Sequence, residues 1–259
     1  MRSPYANAAL RSVDIAPALA APGIVAVWTA EDIADLPPID FRDPAAEALR
    51  PYRQPLLARE RLRYVGEPVA VVFATDPYLA EDAAELVSVE ADELTPILDA
   101  SASPGGFAPG LSTEAMVLRA GYGDVETAFA SAHAVVALDL TIGRHSGVPL
   151  ETRGAIAVLE AASGILRMYG AAKVPHYNRQ ALAAMLGLPI DRIHLHEGHV
   201  GGGFGIRGEL YPEDVLTCAA ALRLGRPVKW IEDRYEHLVA ANQSRGSVHR
   251  AAERSPDTG

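Results

Sequence analysis

The 259-residue chain is 49% hydrophobic and 22% charged, enough apolar residue for a packed core and too little charge for a disordered polypeptide. Its formal net charge of −10 argues against a nucleic-acid groove or an anionic membrane surface as the main partner. The single cysteine, Cys218, excludes an internal disulfide and any cysteine-rich metal or iron–sulfur site within the chain, and no apolar run approaches the roughly 18 to 20 residues of a membrane span.

The amino-terminal residues MRSPYANAALRSVD lack the apolar core of a secretory signal, so a cytoplasmic location is expected. Residues 23–28 read as a short apolar strand, with Thr29 capping a helical turn at 30–33. A proline-bearing loop over 34–57 precedes a continuous apolar strand at 69–74. Asp76-Pro77 gives an N-cap followed by proline at the first helical position, for a helix to about Leu86. Residues 87–90 alternate like a half-buried strand. The stretch SASPGGFAPGLS has no periodicity and opens a linker over 101–123.

Beyond it, Asp124 caps a short helix, and strands at 134–142, 154–160 and 165–169 read as a meander. A helix over 175–185 stops at Gly187 and Pro189. An extended segment at 192–200, a glycine loop, a helix over 212–224 and a strand over 227–231 complete the pattern. Residues 251–259, AAERSPDTG, read as an irregular tail, and both ends of the chain look cut. The fold class expected is α+β.

The glycine loop, residues 201–208 (GGGFGIRG), concentrates the chemistry. A strand, a loop poor in side chains and a helix start let a ligand meet bare backbone, and the exposed N–H groups favour an anionic or strongly polar group. Residues 203–208 also satisfy G-x-G-x-x-G, with Glu232-Asp233 after the next strand where a ribose-binding acid would stand. Against a dinucleotide site, Pro212 starts the helix after the last glycine rather than within the pattern. His194 and His196 share one strand face and His199 the other, so a zinc site competes with plain half-exposed strand histidines. Lys173 and His176 flank a junction able to face a cleft. Cys218, in an apolar helical stretch, reads as a buried, inert thiol.

Several ordered motifs together resemble the amino-terminal part of the molybdopterin-binding large subunit of molybdenum hydroxylases, the xanthine dehydrogenase, aldehyde oxidase and carbon monoxide dehydrogenase group. Residues 1–100 resemble its α/β hammerhead domain, with the first strand missing, through Arg2-Ser3-Pro4-Tyr5-Ala6, residues 22–27 and residues 64–70. Residues 124–250 resemble an incomplete first molybdopterin-binding domain of mixed sheet and helices, through Pro149-Leu150-Glu151, residues 201–205 and Arg226-Pro227-Val228-Lys229-Trp230.

The resemblance implies an oxidoreductase that uses molybdenum–molybdopterin, commonly as its cytosine dinucleotide, to hydroxylate an aldehyde or heterocycle-like substrate. Cofactor-binding residues would be Gly202, Gly203, Phe204 and Gly205, with Lys173 and Arg207 as further candidates. Iron–sulfur clusters and FAD would sit on partner subunits. A second chain would carry the rest of the molybdopterin grip and the glutamate acting as general base.

Three departures bear on this. Lys173 stands where many members have glutamine, Gly208 where purine-oxidising members have an acid, and the second molybdopterin domain has no counterpart. Val65-Gly66-Glu67-Pro68 copies the surroundings of the catalytic glutamate but belongs to the hammerhead match, so no catalytic residue is assigned. A non-catalytic truncated remnant and a dinucleotide-binding oxidoreductase stay open as alternatives.

Overall fold

Side chains of β1 (Ala8–Asp14) run from buried Ala8 to exposed Arg11 and Ser12 in the computed structural model, which describes residues 1–42, 47–99, 101–170 and 174–255. After it come α1 (Ala16–Leu19), β2 (Ile24–Trp28), β3 (Arg61–Leu62), β4 (Val71–Ala74), α2 (Pro77–Glu85) and β5 (Ser88–Glu93). β1 lies between β3 and β5, antiparallel to both, and β2 pairs antiparallel with β4. Asp76 accepts the Tyr78 N–H at 2.9 Å with Pro77 in the first turn, so the cap read from sequence is the one that forms. The helical turn expected at 30–33 is instead a turn, in which Asp32 accepts the N–H of Thr29 at 2.7 Å. Strand β1 has no counterpart in the sequence reading, because its polar residues and the irregularity between Leu10 and Ser12 break the alternation.

Within the stretch expected as a linker, β6 (Gly106–Ala108) and β7 (Leu111–Ser112) make a small hairpin. Asp124 accepts the Thr127 N–H at 3.0 Å and caps α3 (Val125–Ala130). β8 (Ala134–Ile142) then departs from the expected meander: its antiparallel partner is the strand Ser247–Ser255. Residues 251–255 are therefore ordered strand, a correction to the irregular tail, and Ala251 and Ala252 stand opposite Leu138 and Ala137 in the ladder. Residues 256–259 lie outside the described residues. These elements, in the described residues of Asp43–Tyr52, Leu98–His145 and Gln243–Gly259, form the smaller of two compact units.

The larger unit comprises Met1–Arg42, Arg53–Ile97 and Ser146–Asn242. Its later part contains β9 (Gly154–Glu160), β10 (Ile165–Gly170), α4 (Pro175–Leu186), β11 (Ile193–His196), α5 (Pro212–Leu224), β12 (Val228–Ile231) and α6 (Arg234–Ala240). The sheet order is β11-β10-β9-β12, with β10 and β11 parallel across α4 and the other pairs antiparallel. In α5 the run Cys218-Ala219-Ala220-Ala221 is fully buried, and these small residues let the helix lie close on Ala155 and Ala157 of β9. Trp28, Leu56, Leu57 and Phe73 enter the same core, so the first hundred residues and the glycine-loop region share one interior. The class is α+β, and the mixed sheet departs from a dinucleotide fold's parallel βαβ core. Among the described residues no helix is long and apolar enough to cross a membrane.

Candidate cofactor-binding site

Between β11 and α5 the chain runs through the glycine loop and a 3-10 turn at Ile206–Gly208. The loop folds back on itself through an N–H of Ile206 donated to the Gly203 carbonyl at 2.8 Å. Two residues take φ values that favour glycine, Gly202 at 106° and Gly205 at 89°, and between them Phe204 adopts φ 44°. A phenylalanine held in the left-handed region and 73% exposed has neither local preference nor burial to explain it, a pairing found where function sets the conformation.

A second loop, residues 146–152, lies directly against the first. A β-carbon on Gly147 would sit 2.8 Å from that of Phe204, and one on Gly201 would sit 2.6 Å from that of Glu151. The Glu151 N–H donates to the Gly201 carbonyl at 3.2 Å, and its Oε2 accepts the Gly201 N–H at 2.5 Å. The next four main-chain N–H groups, on Gly202, Gly203, Phe204 and Gly205, have no acceptor among the described residues. Consecutive unpaired N–H groups on a backbone poor in β-carbons are free to donate to an anionic or oxo oxygen.

The sequence candidates thus separate. Gly202, Gly203, Phe204 and Gly205 come together. Arg207 is buried: its Nη2 donates to the carbonyls of Glu151, at 3.0 Å, and Thr152, while its Nη1 lies 2.7 Å from Glu151 Oε2. Lys173 lies outside the described residues. His194 and His196 do share a face, with ring centroids 6.4 Å apart, but His196 stacks on Tyr169 at 4.7 Å and its Nε2 is 3.3 Å from Arg167 Nη1. Among the described residues no three His, Cys, Asp or Glu side chains are grouped as a metal would need.

Other acids and the thiol are accounted for structurally. Glu67 is buried and takes Arg63 Nε at 2.8 Å and the Arg63 main-chain N–H at 2.6 Å. Glu232, where a ribose-binding acid would stand, is buried against Arg153 and His237. Burial pushes the Cys218 thiol far up, which leaves it protonated and unreactive.

Sequence reasoning met Glu151 only within the Pro149-Leu150-Glu151 motif, without a role, and passed over Arg234. Arg234 Nη2 donates to the carbonyls of Pro149 at 2.9 Å and Leu150 at 2.7 Å, a contact across more than eighty residues with no local signal. Behind the loop, the Tyr211 hydroxyl donates to the Ile206 carbonyl at 2.8 Å, and burial, opposed by Arg153, pushes its pKa up to about 12.

Comparison with known proteins covers nearly the whole chain. The family model described as a molybdopterin cofactor-binding domain matches residues 110–252, and the α/β hammerhead domain of aldehyde oxidase and xanthine dehydrogenase matches residues 1–95. The gamma subunit of the 6-hydroxypseudooxynicotine dehydrogenase complex of Paenarthrobacter nicotinovorans is 37% identical over 96% of this chain and 32% of its own length. The nicotine 6-hydroxylase large subunit of the same organism is 36% identical over 94% of this chain and 30% of its own. The crystal structure of quinoline 2-oxidoreductase from Pseudomonas putida 86 superposes with a TM-score of 0.78 at 33% identity, covering 99% of this chain and 33% of that one. The chain therefore spans about a third of the length of the relatives it matches.

Proposed function

The chain belongs to the molybdenum hydroxylase family of xanthine dehydrogenase, aldehyde oxidase and carbon monoxide dehydrogenase, and on that premise we propose that it forms one wall of a molybdenum–molybdopterin site. The observation that carries this reading is the run of unpaired N–H groups on Gly202, Gly203, Phe204 and Gly205. They fit the group, because a pterin-bound metal centre presents several oxygen acceptors and a backbone without β-carbons admits them closely. When bound, the cofactor supplies two-electron redox chemistry and oxygen transfer to an electrophilic carbon.

The chain's own part is orientation. The four N–H groups would hold the cofactor's polar oxygens, and Phe204 takes its place among them at a φ of 44°. Lys173, placed by the sequence resemblance beside the metal, would add a positive charge where many members present a neutral amide. No described residue is assigned as general base; the resemblance implies a second molybdopterin-domain chain as the source of that base and of the remaining grip.

The finer proposal follows the relatives. Those named for nicotine-derived compounds and quinoline favour a nitrogen heterocycle as substrate, and Gly208 at the purine-recognition position disfavours purines. The cofactor would be the cytosine dinucleotide form, with iron–sulfur and FAD subunits as cytoplasmic partners. Co-expression with the neighbouring genes, followed by molybdenum and pterin analysis of the purified chain, tests the proposal. Stoichiometric metal and pterin are expected; NAD(P) binding without either, or nothing bound, would overturn it.

A further inference from the structure

We propose that Glu151 is the positioning residue of the glycine loop, its carboxylate setting where the N–H groups of Gly202 to Gly205 point, with Arg207 as its buried counter-charge. The purpose rests on the cofactor reading above; the geometry stands without it.

Glu151 holds both main-chain groups of Gly201. Its N–H donates to the glycine carbonyl at 3.2 Å, and its Oε2 accepts the glycine N–H at 2.5 Å. Gly201 is the residue immediately before the four unpaired N–H groups, so its orientation sets where their run begins. The approach is close enough that a β-carbon on Gly201 would meet that of Glu151 at 2.6 Å. A hydrogen bond from a neutral donor to a carboxylate is stronger than one to a neutral acceptor, and this one anchors the upstream end of the loop.

The downstream end is anchored through the same oxygen. Arg207 follows the loop, its side chain is 2% exposed, and Glu151 Oε2 lies 2.7 Å from its Nη1. This contact is a close ion pair rather than a directed hydrogen bond, since Nη1 and Nε find no acceptor of good geometry. A buried guanidinium needs an anion beside it, and no other described carboxylate comes within ion-pair distance. One carboxylate oxygen thus grips residue 201 and residue 207, on either side of the cradle.

Competition from the facing loop is removed at the same time. Arg234 Nη2 donates to the carbonyls of Pro149 and Leu150, and Arg207 Nη2 to those of Glu151 and Thr152. Four successive carbonyls are occupied by two guanidinium groups. They are not left to draw the glycine-loop N–H groups away from a ligand. Glu151 itself is 41% exposed at its side chain, a site where packing alone would not demand a carboxylate.

The test compares wild type with Glu151→Gln by peptide-resolved amide hydrogen exchange on the 259-residue chain, and by molybdenum retention after co-expression. Glu151→Gln is expected to speed exchange of the bonded N–H groups of Gly201, Ile206 and Gly208 about tenfold, well beyond any change elsewhere, to lower the melting midpoint as Arg207 loses its anion, and to lower retained molybdenum in the same proportion. If that variant does not fold, Glu151→Asp keeps the charge, withdraws the reach and is expected to show the same local acceleration. Unchanged exchange in 199–208, or acceleration spread evenly over the chain, would overturn the proposal. Wild-type chain that holds no molybdenum, yet shows the local exchange effect on substitution, would instead sink the cofactor reading and leave the positioning role standing.

Discussion

The guanidinium of Arg153 lies 3.8 Å from the centroid of the Tyr211 ring. That contact joins a cluster of buried charges to the glycine loop, because the Tyr211 hydroxyl holds the Ile206 carbonyl on one side and accepts the Asn242 N–H on the other. Arg153 Nε reaches Glu232 at 3.0 Å and Nη1 reaches Glu213 at 3.2 Å. Glu213 in turn lies 2.8 Å from Arg2, and Glu232 2.8 Å from His237 Nδ1. The cluster therefore links the start of the chain to β9, α5 and α6.

Substitution of Arg153 tests what that cluster contributes. Arg153→Met keeps most of the volume and removes the charge, leaving Glu232 and Glu213 buried with fewer partners. Breaking a buried ion pair from one side costs about 3–5 kcal/mol. Urea titration should show a loss of that size, and the Tyr211–Ile206 bond should loosen with it. A loss below about 1 kcal/mol would mean that the cluster is solvated in solution.

Two acids of α5 and one that follows β12 make a pH prediction with two opposite signs. Burial opposes ionisation of Glu213, but Arg153 and Arg2 prevail and hold its carboxyl below the usual range. Glu232 behaves likewise, burial being outweighed by Arg153. Their contribution is present above the unfolded carboxylate range and is lost as pH falls through the lowered folded values. Asp214 goes the other way: burial, reinforced by Glu213, raises it from 3.8 to about 7, against the N–H of Tyr211 that it accepts at 3.1 Å. A raised acid contributes stability at low pH that is lost as pH rises from the unfolded value through the folded one. Stability should therefore fall at both ends and peak at about pH 4 to 5. Asp214→Asn keeps an acceptor for Tyr211 and removes the titration. It should flatten the decline between about pH 4 and 7 in a set of urea melts, whereas an unaltered slope would exclude Asp214 as its source.

What could be read from the sequence was local. Asp76-Pro77 and Asp124 cap helices because a carboxylate two or three residues from an N–H needs no tertiary help. The glycine loop was legible because glycines at positive φ leave a mark in composition, and Gly202 and Gly205 take those angles. Long-range pairing left no mark. β8 meets a strand that begins at Ser247, and the charged residues Arg250, Glu253 and Arg254 disguise that strand as a solvated tail. The same limit hid the site's supports: nothing near Arg234 announces that it will cap the carbonyls of Pro149 and Leu150. Glu151 was visible in Pro149-Leu150-Glu151, but its grip on Gly201 and Arg207 appears only once the two loops meet.

Phe204 separates the role of a side chain from that of its backbone. Its φ of 44° costs a residue with a β-carbon roughly 1–2 kcal/mol, and its ring, 73% exposed, returns little burial energy. Phe204→Gly removes the strain while making the unfolded chain more flexible by about 0.5–1 kcal/mol, so the two effects nearly cancel. Its stability should stay within about 1 kcal/mol of wild type, where a core phenylalanine would lose roughly 3–5 kcal/mol on truncation. Phe204→Ala keeps the β-carbon, and with it the backbone restriction, but deletes the ring. If the loop serves through its N–H groups, Phe204→Ala should retain molybdenum nearly as wild type does, and Phe204→Gly should retain less because the loop is no longer held in one conformation. Urea melts and metal analysis on the two variants decide the matter. Loss of more than about 3 kcal/mol in both would make the ring part of the interior and remove the loop from the surface a cofactor could reach.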